Sequence, residues 1–436
     1  MPQRPRANLR TPNRIDLTPP EDRRDTIPDD PRALFITTMA RELHRAGVAT
    51  DILESTVGRI ADAIGLPVQI FALPTYVTLA IGTNLDQHVV MLRLQPGSVN
   101  LKKIALLNLI FDDLVAGKLD FSAASQLLST LEERWPRHRA RYDVPALAMV
   151  ALGVAVLLGG GVRELIVATV IGACVGAISA LGRRVPLIGR LFEVIAAFVS
   201  TLIVALGTHL LGPTNVLIAI VAGVVVLLPG YSLTLALYEL ANANLVAGTA
   251  RLGKVLSTLL ALGCGALLGF AVVGPSLLAS GNVATAPVPE YAWFVAAVLM
   301  SIGLAIDLDA RLKDFIWVFV AAASALLISH VLSLSAFHAI APFIAAFVCG
   351  TIASLGARFL RVPQPVMLVP ALLVLVPGSV SYESVLFAFR SQINVAVTSA
   401  ANASIAAVML VAGLLLSQLL LPSSPLLASE NLGRLR

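Results

Sequence analysis

Residues 224–240, VVVLLPGYSLTLALYEL, interrupt an apolar run with Pro229-Gly230 and then turn polar. The run begins near Thr214, so it reaches the pair after about 15 residues, roughly 22 Å of helix at 1.5 Å per residue. That falls short of the ~30 Å hydrocarbon core of a bilayer. A Pro-Gly pair there lies at membrane depth, where freed backbone groups are tolerated only under cover of protein or beside a polar cavity. The same device returns in VMLVPALLVLVPGSVSYESVLFAF (366–389), which reaches Pro377-Gly378 and passes into Ser, Tyr and Glu. Short, Pro/Gly-interrupted apolar segments at matching places in two halves are the sequence pointer to a transporter binding site.

The rest of the chain fits that reading. Of 436 residues, 57% are hydrophobic and 13% charged, about half the charged share of a soluble domain. The charge is concentrated in the first 143 residues and in short clusters between apolar runs. Composition therefore predicts a polytopic α-helical membrane protein with a small N-terminal soluble domain. The net charge of +5 is accounted for by basic residues beside membrane spans and calls for no nucleic acid partner. Residues 1–32 hold seven Arg, many Pro and Asp and no apolar core, so they fit a disordered tail and not a secretory signal. Cys174, Cys264 and Cys349 stand singly in apolar runs, which suggests neither disulfides nor a metal site.

Residues 33–143 are expected to form a cytoplasmic α/β or α+β domain. Helical periodicity covers Ala33–Ala46 and Ala49–Ile64, the second with Thr50 as N-cap. Strand-like runs follow at Val68–Leu73, Tyr76–Ile81 and His88–Leu94, then helices at Leu101–Ala116 and Ser122–Arg134. Trp135–Tyr142, basic and aromatic, suits a headgroup region. Ten apolar spans are expected, near 144–161, 164–182, 187–211, 214–229 and 251–278, then 291–307, 314–333, 338–357, 364–377 and 393–421. With residue 143 inside, the inner loops hold Arg183, Arg184, Arg190, Arg251, Lys254, Arg311, Lys313, Arg358 and Arg361, and the outer loops only Arg163 and Arg390. That asymmetry predicts both termini in the cytoplasm; the membrane is expected to be the plasma membrane. Five spans per half is odd, so residues 144–285 and 286–422 form two inverted five-helix repeats, followed by a tail at 423–436. Small residues four apart (Ala168, Gly172, Gly176, Ala180; Ala261, Gly265, Gly269) predict close helix packing, within the chain or across a homo-oligomer.

The candidate substrate-binding residues are Pro229, Gly230, Ser232 and Thr234 in the first half and Pro377, Gly378, Ser379 and Tyr382 in the second. A broken helix exposes carbonyls at one half-end and amides at the other, which suits the ammonium and carboxylate of a zwitterion. Glu239, Glu383 and Glu193 are the coupling or gating candidates, since a carboxylate at membrane depth is a functional hypothesis by default. Asp307 and Asp309, beside Arg311 and Lys313, read as a solvated inner loop. His44, Ser55, Asp62, Asp86 and His88 could be imagined as a hydrolase set, but no nucleophile elbow, metal-ligand spacing or phosphate loop accompanies them. The chain is expected not to be an enzyme and to need no cofactor or metal.

The order of parts resembles the threonine/serine exporter family over about residues 35–420. The motif residues are Pro229, Gly230, Thr234, Glu239, Leu240, Ala247, Gly248, Ala250, Arg251 and Leu252, with LVPGSVSYESVLFAF (375–389) in the second half. The resemblance implies export of threonine and serine driven by the membrane's ion gradient, that of protons. It leaves open a dicarboxylate or other small metabolite as substrate. A third possibility is a membrane-anchored hydrolase or sensor acting through the soluble domain.

Overall fold

The computed structural model describes residues 30–421 except 84–85, 95–96, 98, 135–141, 275–287, 290, 334–336, 361 and 390–391. Most of the expected N-terminal tail, the C-terminal tail, the link after Arg134, Arg361 and Arg390 lie outside the described residues.

The N-terminal unit runs α1 (Pro31–Arg45), α2 (Thr50–Ala63), β1 (Val68–Leu73), β2 (Tyr76–Thr83), β3 (Asp86–Arg93), α3 (Leu101–Val115) and α4 (Phe121–Arg134). Pro31 at the first helical position and the Asp30 carboxylate, which accepts from the Arg32 amide at 2.8 Å, start α1. The strands form an antiparallel sheet in the order β1-β2-β3, with Ile70 opposite Leu79 and Leu79 opposite Val90. Alternation along β2 puts Val77, Leu79 and Ile81 on the buried face. They join Phe35, Ile36, Met39, Leu53, Ile60 and Leu107 in a core of the unit's own.

The apolar part runs α5 (Asp143–Leu157), α6 (Val162–Gly182), the short α7 (Pro186–Arg190), α8 (Phe192–Leu211), α9 (Val216–Gly223), a 3-10 turn (Val225–Leu227), α10 (Gly230–Ala241) and α11 (Leu245–Val273). A second series follows: α12 (Tyr291–Asp307), α13 (Phe315–Ser333), α14 (Ala341–Leu360), α15 (Gln364–Leu375), α16 (Gly378–Phe389) and α17 (Ile393–Leu420). Among the described residues, seven helices are long and apolar enough to cross a membrane, or eight if the bent pair 216–241 is one span. The chain is a multi-pass membrane protein. The difference from the ten spans expected lies in α5 and α12, apolar helices of 15 and 17 residues that open each series and are too short to qualify. The expected span 187–211 is also split, at Leu191 between α7 and α8.

The two series pack alike. α8 lies against α11 as α14 lies against α17, and α10 against α11 as α16 against α17. Each series also reaches into the other: α10 packs on α17, and α16 on α11. The small-residue stripes serve this intrachain packing. A Cβ on Gly176 would stand 2.7 Å from the Asp143 carbonyl oxygen of α5, and one on Gly265 would strike the Val194 carbonyl of α8. Gly413 meets the Phe343 carbonyl of α14 in the same way, and the offset from Gly265 to Gly413 equals that between the two Pro-Gly pairs.

Candidate functional site at the paired helix breaks

Proline cannot donate a backbone hydrogen bond, and its ring crowds the preceding turn, so each Pro-Gly ends one helix before the next begins. In the first series α9 gives way to the 3-10 turn, Leu228 is extended (ψ 126°), and α10 starts at Gly230. The two arms are bent by 59°. In the second, Val376 is extended (ψ 137°) and α16 starts at Gly378. There the axis runs on, so 364–389 is a single apolar length of 26 residues. The first break is a bend and the second an interruption.

The two breaks touch. A Cβ added to Gly230 would meet the Val376 side chain and lie 3.1 Å from the Gly378 Cα, and one added to Gly378 would lie 3.3 Å from the Gly230 Cα. Residues far apart in sequence thus meet backbone to backbone, which only glycine allows. The first turns of α10 and α16 converge here. Pro229 supplies no side-chain cap to α10, so amides at the positive end of its dipole face the junction without one. α15 ends at Leu375, and the Val376 carbonyl that follows accepts from the Gly378 amide at 2.8 Å.

The aromatic residues after the breaks cross between the series. Tyr231 packs against second-series residues such as Leu368, Leu372 and Leu410. Tyr382 is 0% exposed in a cluster with first-series Ile171, Ile220 and Leu259. The hydroxyls of Tyr382 and of Thr234, 2% exposed, have no hydrogen-bond partner among the described residues. Buried polar atoms are almost always paired, so these two, on contacting helices that start at the double break, stand out. Ser232 and Ser379 are half-buried in the first turns of the same helices. The remaining hydroxyls of α16 are used locally, Ser381 donating to the Pro377 carbonyl at 2.9 Å and Ser384 to the Ser381 carbonyl at 2.7 Å.

The three carboxylates separate. Glu383 is half-buried on α16, one residue after Tyr382, with no partner among the described residues. Glu239 is 0% exposed but fully engaged. It accepts from Arg251 Nε at 2.8 Å, from the Thr50 hydroxyl at 2.9 Å and from the Thr50 amide at 3.3 Å. It lies nine residues beyond the break, about 14 Å along α10. Glu193 sits half-buried in the first turn of α8, where a negative charge complements the helix dipole.

Sequence reasoning missed the Thr50–Glu239 joint. Thr50 is the first residue of α2 and not its N-cap; the cap is Ala49, which has no side chain to donate to or accept from the amides. Asp51 beside it has one buried unpartnered oxygen, and burial, followed by the nearby Glu239 charge, raises its pKa. Asp309 is likewise no solvated loop carboxylate, since it accepts from Asn100 Nδ2 at 2.9 Å. The imagined hydrolase residues are engaged separately. His44 Nε2 meets the Leu73 carbonyl at 3.0 Å, Ser55 donates to the Ile52 carbonyl at 3.0 Å, and His88 lies 3.7 Å from Asp86 at the surface.

Two family models match the chain. One, described as "Putative threonine/serine exporter", covers residues 34–273, and one described as "Threonine/Serine exporter, ThrE" covers 293–420. Among curated proteins, "Pheromone-regulated membrane protein 10" of Zygosaccharomyces rouxii is 24% identical over 381 residues, 83% of this chain. The chain spans 38% of that relative's length. "Probable threonine/serine exporter" of Mycobacterium tuberculosis is 26% identical over 406 residues, 89% of this chain and 75% of the relative. No solved structure matches the chain.

Proposed function

Since this chain belongs to the threonine/serine exporter family, we propose that it is a secondary transporter that exports threonine and serine across the plasma membrane, coupled to the proton gradient. The observation that carries this reading is the contact between Gly230 and Gly378. Two helix breaks in mid-span, one per half, are the arrangement in which half-helix ends hold a substrate at the bilayer midplane. The amides of α10 and α16 would take the amino acid's carboxylate, the carbonyls before Pro229 and Pro377 its ammonium, and Ser232, Thr234, Ser379 and Tyr382 its hydroxyl.

The halves are two inverted repeats of five spans, with α5 and α12 as short spans. Rocking of one half against the other separates the touching breaks and opens each side in turn. Glu383, unpaired and close to the junction, is the proton-coupling carboxylate; Glu239, held by Arg251 and Thr50, is not. A neutral zwitterion fits better than a dicarboxylate, because neither 216–241 nor 364–389 contains Lys or Arg. A dianion at membrane depth would call for a cationic partner.

Counterflow of labelled threonine in liposomes holding the purified chain tests this. The expected result is saturable flux, competed by serine and not by succinate, and accelerated by a pH gradient. Non-saturating flux indifferent to the gradient would remove the coupled-exporter reading, and competition by succinate alone would move the substrate to dicarboxylates.

A further inference from the structure

The N-terminal unit does not hang from the membrane part by its link alone. It holds both series at once, through the starts of two helices. The first four amides of a helix have no partner within it and must be capped from elsewhere. For α2 the neighbouring Ala49 cannot cap, and Glu239 of the first series does so instead, taking both the amide and the hydroxyl of Thr50. Asn244, after α10, donates to the Thr50 hydroxyl at 3.0 Å. For α3 the caps come from the second series. The Leu101 amide donates to the Leu308 carbonyl at 2.9 Å, and the Lys102 amide to the Asp309 carbonyl at 3.2 Å. Asn100, while capping its own helix at the Lys103 amide, donates from Nδ2 to the Asp309 carboxylate.

Two further observations mark these joints. Leu101 and Ala105 are buried in a cluster with Ala305, Leu308, Val366 and Met367 of the second series, whereas Leu107 and Ile110 of the same helix belong to the unit's own core. Among the described residues, the non-glycine positions with φ in the left-handed region are Ala243 (61°) and Asp309 (51°), one in each loop the unit grips. Strained backbone of this kind persists where surrounding contacts hold it. The positive-inside count places both loops on one side of the membrane.

We propose that the N-terminal unit is a strap across the two halves. It holds the state in which Gly230 and Gly378 touch, and one of its two trans-capped helix starts must let go for the halves to separate. This rests on the reading of the chain as a transporter whose halves move. The strap makes the unit a brake on exchange, set by contacts that can be loosened without touching the break.

The test uses the full chain in liposomes. Thr50→Val removes the hydroxyl at the first joint. Asp309→Gly removes the carboxylate and relieves the strained backbone at the second, and neither alters the unit's core. Both are expected to raise threonine counterflow about threefold, and to speed amide exchange over 228–232 and 376–380, as a shifted two-state population should. In a chain with Cys174, Cys264 and Cys349 replaced by Ala, Asn100→Cys with Asp309→Cys and Thr50→Cys with Asn244→Cys are bridged by a short, reducible bifunctional thiol reagent. Bridging both joints is expected to slow counterflow about tenfold, with recovery on reduction. A bridged chain as fast as its reduced form overturns the strap, as do Thr50→Val and Asp309→Gly chains no faster than wild type. If the wild type moves no threonine while amide exchange at the breaks still responds to the two variants, the transport reading fails and the strap stands.

Discussion

Gly230 and Gly378 have no room for a side chain, and that constraint makes them testable. Gly230→Val drives branched methyls into Val376 and the Gly378 backbone, so counterflow should fall about tenfold or more. Adding Val376→Ala removes the nearest obstacle and should restore part of the rate; no recovery would place the effect elsewhere. Glu239 and Glu383 make a second contrast. Glu239→Gln leaves Arg251, with 16% of its side chain exposed, without its counter-charge. Breaking a buried pair costs about 3–5 kcal/mol, so thermal stability in detergent should drop sharply. Glu383→Gln breaks no pair, and should leave stability within about 1 kcal/mol while abolishing the acceleration by a pH gradient. Equal effects from the two substitutions would contradict the separate roles given to them.

At the scale of elements, α1 is joined to β1 through His44. Its Nε2–H donates to the Leu73 carbonyl, which leaves the buried Nδ1 as the basic nitrogen with no partner. Burial, and secondarily the charge of Arg251, hold the His44 pKa below its usual 6.5. The unfolded chain therefore binds the proton first. Stability from this group is fully present above pH 6.5 and is lost as the pH falls through the window below it. Burial raises Glu54 and Asp51 in the opposite sense: their folded forms hold protons longer, so their contribution is lost as pH rises above the ordinary carboxylate range. Amide protection within α1 and β1, corrected for the intrinsic pH dependence of exchange, should accordingly fall from pH 7 to pH 5.5, and the change should shrink in His44→Gln, which can still donate to Leu73. An unchanged slope in that variant would contradict the assignment.

Much at this scale is legible in the sequence. Pro and Gly punctuate it, so the helix ends at Pro229 and Pro377, the three strands and the short connections come out close to where they stand. The 59° bend at the first break and the straighter second are not legible, because both contain the same Pro-Gly and the difference arises from what packs around them. Nor is the fate of Glu239. Like Glu383 it follows a Tyr in the helix after a Pro-Gly, and only the fold brings Thr50 and Arg251 to it. A clue was present in Ala49, a poor cap at the start of a clear helix.

For the whole molecule, the matching packing of the two series, the shared offset of Gly265/Gly413 and the Pro-Gly pairs, and the crossed Tyr231 and Tyr382 all describe two like halves built into each other. Such halves suit alternating access, with the N-terminal unit holding one face. The inversion proposed for the halves follows from loop charge and span parity. The central claim is that substrate binds where the two breaks meet. Its most direct measurement is protection of thiol labelling at Ser232→Cys and, separately, at Ser379→Cys by threonine, in chains lacking the native cysteines. The account predicts that threonine slows labelling at both positions with the same half-saturating concentration, and that succinate does not. Labelling at both positions unchanged by saturating threonine, in protein that still transports it, would contradict the site.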